Sequence, residues 1–222
     1  MDQTPVHDNH NPDLLRIIPS SVKNVIEIGC SSGVLARAFK NTHQNVNWVG
    51  VEIDETYGKL AEQYCDQVLI SNIDDCDESF YTQFSDRDCW VFGDTLEHFK
   101  DPWSVLKQIR NVIPDDGCIT ACIPNAQHWS LIVKLAIGDF RYQDSGLLDR
   151  THLRWFTRQT MLELFASQGF KVVEGTPRIF DEPKRAEFLP LIAEIAKACN
   201  ANPEAAIKDS MPLQYVVRAI PI

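Results

Sequence analysis

Short apolar runs alternate with helical segments through the first half of the chain, and that alternation constrains the fold more than any other feature. Residues 22–28, 47–53, 67–70, 89–92 and 118–123 each read as a strand, and several are almost wholly apolar. Continuous apolar strands suit a sheet covered on both faces rather than one with a wet side. Helical signals lie between them, from Gly33 to about Lys40, over about 57–65, and from Pro102 onward. The last of these has the clearest ends. Asp101 is placed to cap it and Pro102 fills its first position. Val105, Leu106, Ile109, Val112 and Ile113 form one apolar stripe, and Pro114 stops it. Repeated strand–helix–strand units with right-handed crossovers predict a Rossmann-like, doubly wound α/β sheet, mostly parallel.

The second half is less regular. Residues 125–138 read as helical, and 139–156 form a long connection rich in Asp, Arg, His and aromatic residues. Thr157 caps a helix with Met161, Leu162 and Phe165 on its stripe, ending at Gly169. A strand at 170–174, a helix at 188–199 and a final strand at 213–220 follow, and a short helix is expected over 9–16. With no repeat or linker in view, residues 1–222 read as one domain with a substrate-side cap from about 125 to 157.

A chain of 222 residues, 44% hydrophobic, buries a core without disulfide or metal staples. Its formal net charge of −10 argues against a nucleic-acid partner. No apolar run approaches the roughly 18 residues of a membrane span. The polar start, Met1 to His7, lacks the basic and apolar regions of a signal peptide. Seven cysteines at 30, 65, 76, 89, 118, 122 and 199, with no C-x-x-C, fit reduced thiols in a cytoplasmic protein.

The segment Val25-Ile-Glu-Ile-Gly-Cys-Ser-Ser-Gly33 puts a glycine loop between the first strand and first helix, where open α/β sheets bind ligands. A dinucleotide fingerprint needs glycine at 29, 31 and 34; the chain has Gly29, Ser31 and Val34. The acidic residue expected about 20 positions on is present as Glu52, which can accept both hydroxyls of a ribose. The pattern suits a nucleoside better than a pyrophosphate.

Glu27-Ile-Gly-Cys-Ser-Ser-Gly33, Gly50-Val-Glu-Ile-Asp54 and Phe92-Gly-Asp-Thr-Leu-Glu-His98, in succession, resemble the motifs of class I S-adenosylmethionine-dependent methyltransferases over about residues 10–175. The resemblance implies a seven-stranded sheet with an antiparallel last strand and S-adenosyl-L-methionine as cofactor. It implies that Glu27, Gly29, Ser31 and Gly33 wrap the methionine side, that Glu52 holds the ribose, and that Ile53 packs beside the adenine. Ser71-Asn-Ile-Asp74 stands where the family often has Gly-Asp-x-x, which implies cofactor contacts from Asn72, in place of the usual Asp, and Ile73. Asp94 and Leu96 would line the junction between cofactor and substrate.

Transfer to a hydroxyl needs a positioned oxygen and removal of its proton. His98, His128 and His152 are the candidate bases, with Asp149 as an orienter. The stretch Gly146-Leu-Leu-Asp-Arg-Thr-His-Leu-Arg-Trp-Phe-Thr157, with Asn125-x-x-His128, resembles bacterial methyltransferases associated with surface glycans. That resemblance implies a glycan or small-molecule acceptor, a sugar hydroxyl as the methylated group, and a glycosyltransferase as a partner. Arg150, Arg154 and Tyr142 are candidate substrate contacts, Trp103, Trp129 and Trp155 candidate stacking surfaces, and Asp74 and Asp75 read as solvated turn carboxylates. No metal triad is visible and no metal is expected. A quinone-like small-molecule methyltransferase and a non-catalytic binding module are the competing readings.

Overall fold

The computed structural model describes residues 8–222, so the reading of Met1 to His7 lies outside the described residues. The order is α1 (Pro12–Ile17), β1 (Asn24–Ile28), α2 (Val34–Lys40), β2 (Asn47–Glu52), α3 (Glu55–Ala61), β3 (Gln67–Ile70), α4 (Glu78–Thr82), β4 (Cys89–Gly93) and α5 (Pro102–Val112). It continues with β5 (Cys118–Pro124), α6 (Trp129–Ala136), α7 (Arg158–Ser167), β6 (Phe170–Arg178), α8 (Arg185–Ala198), α9 (Pro203–Ser210) and β7 (Gln214–Pro221). Single 3-10 turns follow β3 at Ile73–Asp75 and β4 at Leu96–His98.

One seven-stranded sheet has the order β3-β2-β1-β4-β5-β7-β6. β7 runs antiparallel to both β5 and β6, while the pairs among β1 to β5 are parallel. The strands carry two cores by simple alternation. Ile26, Ile28, Val49, Val51, Trp90 and Phe92 face one cluster, into which α5 and α7 send Leu106, Ile109, Leu164 and Phe165. Val25, Trp48, Cys89 and Val91 face the other, with Leu14, Ile17, Leu35, Ala36 and Phe39 from α1 and α2. A period-two strand buried on both faces leaves no polar row, which is why β4 is apolar throughout and β1 and β2 are apolar apart from Asn24, Asn47, Glu27 and Glu52.

The cap at Asp101 forms as expected, its carboxylate accepting from the Ser104 N–H at 3.0 Å. β6 extends to Arg178, four residues past its expected end. It is an edge strand, half exposed and bulged between Val172 and Glu174, so its outer part is held by ladder bonds to β7 without an apolar pattern. The helices α4 and α9 went unpredicted, although Asp77 caps the first and Asn202 the second, the latter with Pro203 in the first turn. α6 starts at Trp129 rather than 125 because Asn125 bridges to Phe156 and donates its amide to the Asp209 and Pro212 carbonyls. No helix among the described residues is long and apolar enough to cross a membrane, and the seven cysteines are free thiols.

Candidate active site

Strand order reverses between β1 and β4, so their carboxyl ends open the crevice in which such sheets bind ligands. The loop after β1 lies there, and its backbone is unusual. Gly29 and Gly33 have φ of 76° and 74°, and Ser31 has φ of 48°, a region that costs a non-glycine residue free energy. A Cβ on Gly29 would stand 2.7 Å from the Thr95 methyl, and Thr95 Oγ1 itself donates to the Ile28 carbonyl at 3.1 Å. Gly29 is therefore required by the close approach of the β4 loop.

Glu52, at the end of β2, pins this loop. Its Oε2 accepts from the Ser31 N–H at 2.8 Å, and its Oε1 accepts from the Ile53 and Asp54 N–H groups at 2.8 and 3.0 Å. A carboxylate has about four acceptor positions. Three are used, so room remains for one ribose hydroxyl rather than the two expected from sequence. Ile53 beside it is half exposed.

Other residues of the expected cofactor set lie beneath the crevice. Leu96 is fully buried and Ile73 nearly so, both in the first core, which leaves no Leu96 side-chain surface for a cofactor. Asn72 caps its 3-10 turn, accepting from Asp74 N–H and donating to Asp75 at 2.7 Å. Asp74 is not a solvated turn carboxylate: both its oxygens accept from the Lys100 N–H, tying the β3 and β4 loops together. Asp94, at φ 55°, turns its carboxyl toward Cys122 and Gln214, and burial raises its pKa.

Glu27 is buried under the loop, where it accepts from the Trp48 indole N–H at 3.0 Å. Burial pushes its carboxyl well above the usual range, with Cys65 and Glu52 adding to the shift and the Trp48 bond opposing it. A raised folded-state pKa means that the unfolded chain releases this proton first, so stability falls as pH rises above about 4.3. Glu27→Gln keeps an acceptor for Trp48 and has no proton to lose. Its Tm should exceed that of the parent at pH 8, by about 2–4 °C for each 1 kcal/mol of relief, and the gap should narrow toward pH 4. Parallel Tm–pH curves would rule out a titrating Glu27.

On the acceptor side, the long connection folds back onto the turn after β4. The Leu153 and Arg154 N–H groups both donate to the Glu97 carbonyl, at 2.8 and 2.9 Å. This brings His152 against His98, ring centroids 4.8 Å apart, and sets His152 Nε2 3.9 Å from Glu97 Oε1. Both Glu97 oxygens are buried without a hydrogen-bond partner. Desolvation, then Asp94, raises the Glu97 pKa well above its usual value, while burial lowers both imidazoles, His152 to about 4. Asp149 accepts from the Thr151 hydroxyl and N–H, at 2.6 and 2.8 Å, and its carboxylate favours the charged form of both histidines. From His152 a row of rings runs to the surface, through Trp155 at 6.5 Å, Phe140 at 6.0 Å beyond it, and Tyr142 at a further 5.7 Å.

The remaining candidates are engaged elsewhere. His128 is buried with Nδ1 on Ser130 and Nε2 on Glu182, and Trp129 also donates to Glu182. It ties the start of α6 to the loop before α8. Arg150 pairs with Asp144, and Arg154 donates to the Leu153 and Lys100 carbonyls. Trp103 packs near Phe156 at the start of α5.

A family description, "Methyltransferase domain", matches residues 10–175, from α1 into β6. The chain belongs to this methyltransferase family. No curated protein matches the sequence. Among solved structures, an S-adenosylmethionine-dependent methyltransferase from Archaeoglobus fulgidus aligns with TM-score 0.64 at 20% identity, over 93% of this chain and 90% of its own. One from Thermotoga maritima aligns with TM-score 0.58 at 16% identity, over 94% and 86%. An O-methyltransferase of neocarzinostatin biosynthesis, solved with S-adenosylmethionine and a naphthoic acid, aligns with TM-score 0.55 at 11% identity, over 91% and 50%. At these identities the likeness is one of fold.

Two residues of the candidate site escaped the sequence reading. Glu97 sits inside a motif quoted for its neighbours, and a carboxylate next to an imidazole was the available signal. Thr151 looks like a spacer, yet its carbonyl and hydroxyl both meet His98 Nδ1, at 3.2 and 3.0 Å.

Proposed function

We propose that this methyltransferase domain methylates a hydroxyl oxygen on a ring-bearing small acceptor, a free or nucleotide-linked sugar or a nascent glycan being the leading class. S-adenosylmethionine is the methyl donor: the O–C bond forms as the sulfonium C–S bond breaks, its electron pair staying on sulfur. The crevice chemistry fits that donor. Glu52 keeps one acceptor position for a ribose hydroxyl, Ile53 offers an apolar face for a purine, and the strained Gly29–Gly33 turn leaves the loop backbone close to the crevice. Gly29, Ser31, Gly33, Glu52 and Ile53 are the proposed contacts, Glu27 supporting the loop from below.

The observation that carries the acceptor reading is the ring row Tyr142–Phe140–Trp155 ending on buried His152 and half-buried His98. A sugar or aromatic ring stacked on exposed rings would be held with its hydroxyl directed at the cluster. His152 is the proposed catalytic residue, with Asp149 its electrostatic partner, and the acceptor proton is lost at this cluster. The exposure of Phe140, Tyr142 and Trp155 also favours a second reading, an aromatic small-molecule acceptor, because Arg141 and Arg150 are paired within the loop to Asp139 and Asp144. The glycan reading brings with it a glycosyltransferase as partner, and the free thiols agree with a cytoplasmic setting.

Calorimetric titration tests the donor. Micromolar binding of S-adenosylmethionine with none of NADH is expected, since Val34 replaces the third glycine of a dinucleotide loop. Binding of neither would make this a non-catalytic module. Formation of S-adenosylhomocysteine with nucleotide sugars but not with catechols would support the sugar class, and the reverse would replace it.

A further inference from the structure

We infer that Glu97, His98 and His152 form a binding site for a divalent transition-metal ion, on which the acceptor hydroxyl is held. The three side chains present ligand atoms that all lie within 4.8 Å of one another, on the acceptor side of the crevice. Two imidazoles and one carboxylate suit Zn²⁺, Fe²⁺, Co²⁺ or Mn²⁺ better than Mg²⁺ or Ca²⁺, which prefer all-oxygen sites. Donors about 2.1 Å from one ion stand roughly 3–3.5 Å apart. From a limit of 4.8 Å, the widest pair would close by up to about 1.5 Å, within reach of side-chain rotation.

Two independent features point to an ion here. The first is the carboxylate of Glu97, whose oxygens are both buried and unpartnered. Burying a carboxyl this way is costly, and a dication is the partner that offsets it fully. The second is the outer arrangement of His98. Its Nδ1 faces the Thr151 carbonyl at 3.2 Å, and a carbonyl only accepts, so Nδ1 carries the proton and Nε2 the lone pair. A backbone carbonyl behind the ring is the usual support of a metal-bound histidine. Thr151 in turn donates its hydroxyl to Asp149 at 2.6 Å.

Three protein ligands leave positions open for substrate, as in catalytic rather than structural sites. An acceptor with two adjacent oxygens, a vicinal diol or a catechol, would chelate there. An ion held there would supply Lewis acidity, easing loss of the acceptor proton to water while the electron pair stays on oxygen. The role rests on the methyltransferase reading above; the binding of metal does not.

The full chain without a tag, stripped with EDTA and returned to metal-free buffer, would be titrated with Co²⁺ while visible absorption is recorded. S-adenosylmethionine affinity would be measured on the same preparation. The expected result is a single equivalent of Co²⁺ with a d–d band typical of nitrogen and oxygen ligands. His98→Ala and His152→Ala should each weaken it by at least about tenfold, with S-adenosylmethionine affinity unchanged. If an alanine variant loses S-adenosylmethionine binding, the glutamine replacement at that position takes its place. A parent protein that binds S-adenosylmethionine but no Co²⁺ overturns the proposal. So does Co²⁺ binding that survives both histidine changes, or a thiolate-to-cobalt charge-transfer band, which would put the ion on cysteines. Co²⁺ binding of the expected kind without S-adenosylmethionine binding supports the metal site and overturns the proposed methyl donor instead.

Discussion

His152→Ala is expected to lower kcat by on the order of 10²–10⁴, the range for losing the group that handles an acceptor's proton, while leaving S-adenosylmethionine affinity unchanged. The split follows from where the residue lies. His152 is in the loop folded over the β4 turn, held by the Leu153 and Arg154 N–H groups on the Glu97 carbonyl. The loop that carries the proposed donor contacts is pinned separately, through Glu52. His152→Ala therefore removes a ring next to His98 without touching those contacts. Single-turnover methylation and calorimetry on one preparation check it. A rate near that of the parent would take His152 out of the reaction, and a matching fall in donor affinity would mean that the loop itself had collapsed. His128→Ala serves as the contrast. Its ring bonds to Ser130 and Glu182, so the change should appear in Tm, as the loss of a buried anchor of about 1–3 kcal/mol.

Glu52→Ala should weaken S-adenosylmethionine binding by about 1.5–3 kcal/mol, roughly 10- to 150-fold, from the loss of a hydrogen bond to a charged acceptor. The effect has two sources. The direct one is the single acceptor position that Glu52 has left for a ribose hydroxyl. The indirect one is preorganisation: without the carboxylate the Ser31, Ile53 and Asp54 N–H groups lose their common partner, and Ser31 at φ 48° has less to hold it there. Glu52→Gln separates the two in part. Its amide oxygen can still serve Ile53 and Asp54, while its NH₂ would oppose the Ser31 N–H. An intermediate affinity is expected, with a lowered Tm. Unchanged affinity in Glu52→Ala would remove Glu52 from the donor site.

What the sequence determined by itself was everything set by near neighbours along the chain. Alternation along β1, β2 and β4 reports burial on both faces because adjacent residues of a strand point to opposite sides. Asp101, Pro102 and Pro114 mark α5 because caps and stops act within a turn. Gly29, Gly33 and Glu52 announce the crevice because a tight turn between strand and helix needs positive φ at fixed positions. The tertiary structure alone decided which polar side chains remain for chemistry. Leu96 goes into the core because the turn after β4 rotates it inward, and Arg150 and Arg154 are taken up by Asp144 and by backbone carbonyls in folded loops. Glu97, His98 and His152 meet across 54 residues of chain because the long connection closes on one carbonyl. No local period encodes where such a loop closes, since its ends are joined by the packing of the sheet and helices that carry them.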